Sequence, residues 1–205
     1  MLADASLHLS RAGRPGRPQP TVSSAILMFE PTGTSSTERL VLRPLTEADQ
    51  AQALQAHREL AAEDFTFLLD WTLERTWPQH LRLLRQYRHG LELAPGHVPA
   101  TFLVALADGD LVGRVSVRHE LNSFLAELGG HIGYAVRPPF RGRGHATEIL
   151  RQALIVASAE SVERALVTCD DTNAASRRVI ERCGGVLEDV RRTESGGTTR
   201  RYWIG

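Results

Sequence analysis

Residues 132–147 read Ile132-Gly-Tyr-Ala-Val136, Arg137-Pro-Pro-Phe140, Arg141-Gly-Arg-Gly-His145, Ala146-Thr147, and their order decides the architecture. A short apolar strand runs into a turn forced by two prolines. A segment with two glycines then leads directly into a helix, where Ala146, Ile149, Leu150, Ala153, Leu154 and Ala157 recur at helical spacing. Glycine lets main chain approach a ligand closely. The first turn of a helix presents N–H groups with no intrahelical acceptor, at the positive end of the dipole. Arg141 and Arg143 add permanent cations. Although such a turn can be purely structural, strand, glycine loop and helix start together suit a phosphate or pyrophosphate.

Upstream, Thr101–Ala107 and Leu111–His119 read as strands joined by Asp108-Gly109, a strong hairpin signal, and Gly130–Val136 is the next strand. Further back, Arg39-Leu-Val-Leu-Arg43 alternates as a strand that Pro44 ends. Thr46-Glu-Ala-Asp49 opens a helix running through Leu60, and Pro78 starts another with Leu81, Leu84 and Tyr87 on one face. Phe65, Phe67, Leu68, Leu69, Trp71 and Trp77 lie between these helices, as core or as a wall facing a substrate. Downstream, Ala165–Cys169 is an apolar strand and Asn173–Cys183 a helix stopped by Gly184. Val186–Val190 and Arg200–Ile204 close the chain as a hairpin around Glu194-Ser-Gly-Gly197. This order predicts one mixed α/β (α+β) domain over residues 37–205.

Residues 1–36 stand apart. Arg11, Arg14 and Arg17 sit among Gly13, Pro15, Gly16, Pro18 and Pro20, too little apolar surface to offset chain entropy, so a disordered tail is expected. Three arginines are a thin basis for a nucleic-acid arm, and Met28 is an alternative initiator.

The chain has 205 residues, 42% hydrophobic and 23% charged, and every one of its 24 basic residues is arginine. Without lysine there is no P-loop amine under a nucleotide, no Schiff base and no kinase-type strand lysine. Twenty-four acids bring the net charge to zero, so no global field draws the chain to nucleic acid or anionic lipid. Cys169 and Cys183 form neither a CxxC pair nor a metal-ligand spacing, and the eight histidines show no HExxH-like pairing. Two buried thiols in a reducing compartment are expected, with no metal. No apolar stretch approaches the ~20 residues of a membrane span, and the N-terminus lacks the pattern of a secretory signal, so the expected location is cytoplasmic.

Arg141-x-x-Gly144-x-Ala146 fits the [QR]xxGx[GA] signature of the GNAT superfamily of acyl-CoA-dependent N-acetyltransferases. Val136-Arg-Pro-Pro139 resembles the end of that family's fourth strand. Asn173-Ala-Ala-Ser176 resembles the start of its late helix, and Val179-Ile-Glu-Arg-Cys-Gly-Gly185 the end of that helix. Ile132-Gly-Tyr134 and Tyr202-Trp203-Ile204 are similar to the branch containing ribosomal-protein and small-molecule acetyltransferases. The resemblance implies a mostly antiparallel central sheet with helices on both faces. It also implies acetyl-CoA as co-substrate, held by Tyr134, Ala135, Val136, Arg141, Gly142, Arg143, Gly144, His145, Ala146, Thr147, Asn173 and Ser176.

The implied reaction is attack of a primary amine, on a small molecule or a protein N-terminus, directly on the thioester. Main chain at Tyr134–Val136 is expected to lie along the pantetheine arm, and the His145 side chain to face solvent or the coenzyme. His131 is the candidate base, the alternative being a strand-edge hydrogen bond. The family's late-helix tyrosine, which protonates the leaving thiolate, is missing from Asn173–Cys183, leaving Ser176, water, or departure of the thiol as the thiolate itself; Tyr134 is a catalytic candidate without an assigned role. His119 and Asn122 are weaker candidates near the substrate. Glu59, Glu63, Asp64 and Asp70 are read as a solvated face that could attract a cationic amine. A non-catalytic acyl-CoA sensor is the alternative function, and a homodimer through edge strands is compatible with the branch.

Overall fold

The structure is a computed structural model that describes residues 40–193 and 196–205. The tail expected over residues 1–36 and the hairpin residues Glu194 and Ser195 lie outside the described residues. Seven strands form one sheet in the order β1-β2-β3-β4-β5-β7-β6. The strands are β1 (Val41–Arg43), β2 (Ala100–Ala107), β3 (Asp110–Arg118), β4 (Ile132–Val136), β5 (Ala165–Asp170), β6 (Val186–Arg192) and β7 (Thr198–Ile204). The helices are α1 (Gln50–Ala61), α2 (Trp77–Arg88), α3 (His145–Ala159) and α4 (Ala174–Arg182). All neighbouring pairs are antiparallel except β4 with β5.

The sheet separates two cores. Phe67, Leu68, Trp77, Leu81, Phe102 and Val104 pack with α1 and α2 on one face, so Phe67, Leu68 and Trp77 are core, while Phe65, Leu69 and Trp71 are only partly buried against it. Val115, Val117, Ile132, Ile149, Leu150, Val167 and Ile180 pack with α3 and α4 on the other. Alternation along β3 serves both faces, and a bulge keeps it in phase. Ala105 pairs with Gly113 and Leu106 with Leu111, so Val112 is the extra residue. Leu111 then enters the first core and Val112 the second. The Asp108-Gly109 turn has φ of 51° and 89°, as the two-residue hairpin requires.

Asp49 fastens the sheet edge to α1. Arg43 donates to both its carboxylate oxygens at 2.6 and 2.7 Å, and the Thr46 amide and hydroxyl each donate to Oδ2 at 2.7 Å. These donors, the Arg43 guanidinium first, pull the Asp49 carboxyl down to about 2. A carboxylate held below its unfolded value contributes stability above that value and loses it as pH falls toward the folded one. Acid unfolding followed between pH 4 and pH 2 should therefore show a loss on the order of 2 kcal/mol that Asp49→Asn abolishes. An unchanged acid slope in the variant would refute the assignment.

The decisive feature lies mid-sheet. β4 and β5 share one register pair, Ile132 with Val167, whereas β4 stays paired to β3 through Val136 and β5 to β7 through Asp170. At Gly130, with φ of 62°, a side chain would stand 2.6 Å from the Leu166 carbonyl oxygen, so only glycine brings the two strands this close before they part.

Candidate active site

Arg137 donates its amide to the Val112 carbonyl of β3 at 2.9 Å. Successive residues of a strand turn their main-chain groups to opposite sides. Residues 133 and 135 therefore face β3, and Tyr134 and Val136 present their N–H and C=O groups to the side where β5 has diverged. The gap ends at Pro138–Phe140, a single 3-10 turn, and then at the glycine loop. Gly142 and Gly144 hold φ of 78° and 87°, with nothing within 4 Å of a Cβ built at either. The requirement for glycine here is conformational, and the space beside it is open. Gly144 is the N-cap of α3, at the positive end of that helix, and the Thr147 amide donates back to its carbonyl at 3.0 Å. Gly144→Val forces a β-branched residue into the left-handed region, at a local cost of about 1–3 kcal/mol without a steric clash. The variant should fold but bind coenzyme A about tenfold more weakly by calorimetry; undiminished affinity would remove the loop from the site.

The arginines of this loop are differently placed from the expectation. Arg141 is turned back: its Nε donates to the Val136 carbonyl at 3.1 Å, and its two terminal nitrogens donate to Glu63 at 3.0 and 2.6 Å. Arg137 is buried, with Nε and Nη2 each 2.8 Å from the Glu59 carboxylate and Nη1 2.7 Å from the Leu111 carbonyl. Glu59 and Glu63 are thus each paired with an arginine, Glu63 at the exposed surface. One turn apart along α1 and just past it, they clamp the two arginines that bracket the Pro138–Phe140 turn. Arg143 donates to the Pro139 carbonyl at 3.3 Å and lies over the Phe140 ring. The His145 side chain is buried rather than solvent-facing, leaving its main chain at the helix start.

Tyr134 and Ser176 are brought together across the gap, with hydroxyl oxygens 2.9 Å apart. Burial first, with the Cys169 and Cys183 thiols adding, pushes the Tyr134 phenol up to about 12 against the pull of Ser176, so it keeps its proton at neutral pH. The Asn173 side-chain oxygen accepts the Ser176 amide at 2.9 Å, capping α4 and fixing that serine. His131 is engaged with main chain. Its Nδ1 accepts the Leu166 amide at 2.9 Å in a buried bond, and its own amide donates to the Leu166 carbonyl at 2.7 Å. The lone pair a base would use is committed, and burial followed by the Arg118 charge lowers the ring's proton affinity. This is the strand-edge bond considered as the alternative.

His119 and Asn122 serve the scaffold instead. His119 Nε2 is 2.9 Å from the Thr101 hydroxyl and its Nδ1 4.0 Å from Glu160, beyond the far end of α3. Asn122 accepts the Leu125 amide at 2.9 Å and donates to the Gly96 carbonyl at 2.8 Å. Asp70 holds His97 at 3.1 Å and accepts the Tyr87 hydroxyl at 2.7 Å. Cys169 and Cys183 are free, and burial raises both thiols, which disfavours a covalent acyl-cysteine. Among the described residues, no cluster of three or more His, Cys, Asp or Glu is placed to hold a metal ion, and no helix is long and apolar enough to cross a membrane.

The sequence matches the family description "Acetyltransferase (GNAT) domain" over residues 39–186, and the chain belongs to that family. The fold is similar to ribosomal-protein-S5-alanine acetyltransferase from Vibrio fischeri, at 15% identity and TM-score 0.58, covering 80% of this chain and 91% of that one. It is also similar to Mycobacterium smegmatis RimJ in complex with CoA-disulfide, at 21% identity and TM-score 0.58, over 80% and 81% of the two chains. A third match is yncA from Salmonella typhimurium, solved with its cofactor acetyl-CoA, at 14% identity and TM-score 0.54, over 80% and 92%. At these identities the likeness is one of fold. No curated protein shows significant similarity to the sequence.

Proposed function

We propose that the chain transfers an acetyl group from acetyl-CoA to a primary amine by direct attack on the thioester. The observation that carries this reading is the parting of β4 and β5 after a single pair, which aims the main chain of Tyr134 and Val136 into a gap ending at the α3 N-terminus. Two similar folds are solved with coenzyme A species, which supports the same reading.

In this reading Gly142, Gly144 and the amides at the start of α3 bind the pyrophosphate. The main chain of Tyr134–Val136 aligns the pantetheine and offers an N–H toward the thioester oxygen, where negative charge develops. Tyr134 takes the part of the missing late-helix tyrosine. Its hydroxyl reaches the α4 start from β4, carries a proton at neutral pH, and can deliver it to the departing thiolate while Ser176 orients it. With His131 committed to Leu166, the amine is taken up in its neutral form, and the proton its nitrogen sheds as the amide forms replaces the one Tyr134 gives to the thiolate. An α-amino group, with a pKa of about 8, supplies that form in useful amounts near neutrality.

The His131 geometry also favours a second reading, a domain that binds acyl-CoA without turnover. Release of free thiol from acetyl-CoA, followed with an amine panel, separates the two. Steady amine-dependent release establishes transfer. Tight binding with no release establishes the sensor, and no heat on titrating acetyl-CoA removes both.

A further inference from the structure

Among the described residues three arginines are buried: Arg114, Arg137 and Arg201. Arg137 has Glu59, and Arg201 has Glu188 and Asp189, each within 3.0 Å. Arg114, in mid-β3, has no carboxylate among the described residues. It is 9% exposed, its Nε lies buried without a hydrogen-bond partner, and its terminal nitrogens reach only two carbonyls, Thr66 at 3.0 Å and Gly133 at 3.4 Å. The guanidinium sits over Phe65 at 4.7 Å and Phe102 at 5.6 Å, beneath the connection between α1 and α2.

Four residues along the strand, and therefore on the same face, stands Arg118, which also has no ion pair among the described residues. Its Nη1 donates to the Gly129 and Gly130 carbonyls at 3.0 Å each. Both its terminal nitrogens stand 3.6 Å from where a side chain on Gly133 would begin. Gly133 is the first residue of β4 after its one pair with β5. Two cations without carboxylates therefore converge where the gap closes, on the sheet face that carries α1 and α2. A buried charge without a counter-charge is costly, and burial followed by Arg118 brings Arg114 down to about 9, still protonated at neutrality.

We infer that Arg114 and Arg118 form an oxyanion subsite, and that the acceptor is an amine carrying a carboxylate a few bonds from its nitrogen. The inference rests on the acetyl-transfer reading above. Bidentate pairing with a guanidinium fits a carboxylate in geometry and charge. The same two cations disfavour an ammonium beside them, so the acceptor loses its proton without a dedicated base, in keeping with the committed lone pair of His131.

The test reads the carboxylate alone. The full chain is titrated calorimetrically with N-acetylglycine and with N-acetylglycinamide, which differ only at that group and require no turnover. The acid is expected to bind at least tenfold more tightly, Arg114→Gln to erase the preference, and Arg118→Gln to reduce it severalfold. Equal affinities for the two probes overturn the inference, as does a preference that survives both substitutions. If Arg114→Gln does not fold, as judged by circular dichroism, Arg118→Gln and the wild-type comparison decide the matter. Because no acetyl-CoA is present, an acid preference in a chain that never turns over acetyl-CoA would sink the transfer reading and leave the subsite. Turnover with equal affinities would do the reverse. Acetylation of free aspartate against an Asp-initiated peptide amide then distinguishes a small molecule from a protein N-terminus as the source of the carboxylate.

Discussion

Replacing Glu59 by alanine should lower stability by about 3–5 kcal/mol, which in a chain of this size moves Tm down by roughly 6–20 °C. Glu59 binds Arg137 through two parallel bonds of 2.8 Å, and the Arg137 side chain is only 5% exposed. Removing the carboxylate leaves a buried guanidinium held by one carbonyl, that of Leu111. The penalty is that of an uncompensated charge rather than of a lost contact, and a second variant can show it. Glu59→Leu combined with Arg137→Met removes both charges and should recover most of the loss, because well-packed apolar side chains replace a buried pair at little net cost. A Tm within 2 °C of wild type for Glu59→Ala, or a double variant no better than the single one, would contradict the clamp. Its functional consequence is that α1 holds the end of β4, and so the angle at which the strand enters the glycine loop.

Tyr134→Phe should lower kcat by about 100-fold with little change in KM for acetyl-CoA, since only a hydroxyl that acts on the leaving group is removed. The ring remains to pack against the core under α3 and α4, and the hydrogen bond lost with Ser176 should lower stability by only about 1 kcal/mol. Phenol protonation up to about 12 predicts that wild-type kcat shows no alkaline fall from this group below pH 10. Steady-state kinetics with whichever amine releases thiol measures all of this. A kcat within threefold of wild type would return the proton to water, and Ser176→Ala with a larger effect than Tyr134→Phe would give it to the serine.

Fold class, element order and the glycine loop are legible in the sequence because each rests on local chemistry. The 3.6 period between Ala146 and Ala157, the prolines at 138 and 139, the Asp108-Gly109 turn and the glycines at 142 and 144 each constrain φ, ψ or the buried face of a few consecutive residues. What the sequence could not assign is the partner of any charge. Glu59 and Glu63 read as solvated acids because their arginines lie 78 residues away, and only folding brings α1 against the end of β4. The alternation Arg114-Val-Ser-Val-Arg118 in a strand buried on both faces was the available signal for the cationic pair, yet alternation names a face and not what meets it. His131 and Tyr134 are decided in the same way. Whether the imidazole is a base or a strand-edge acceptor depends on the Leu166 amide, 35 residues on, and whether the phenol reaches a leaving group depends on where α4 starts. Local preference is a property of neighbouring residues along the chain. The protonation state and task of a side chain belong to whatever lies within a few ångströms of it, and that is settled only when the sheet has closed.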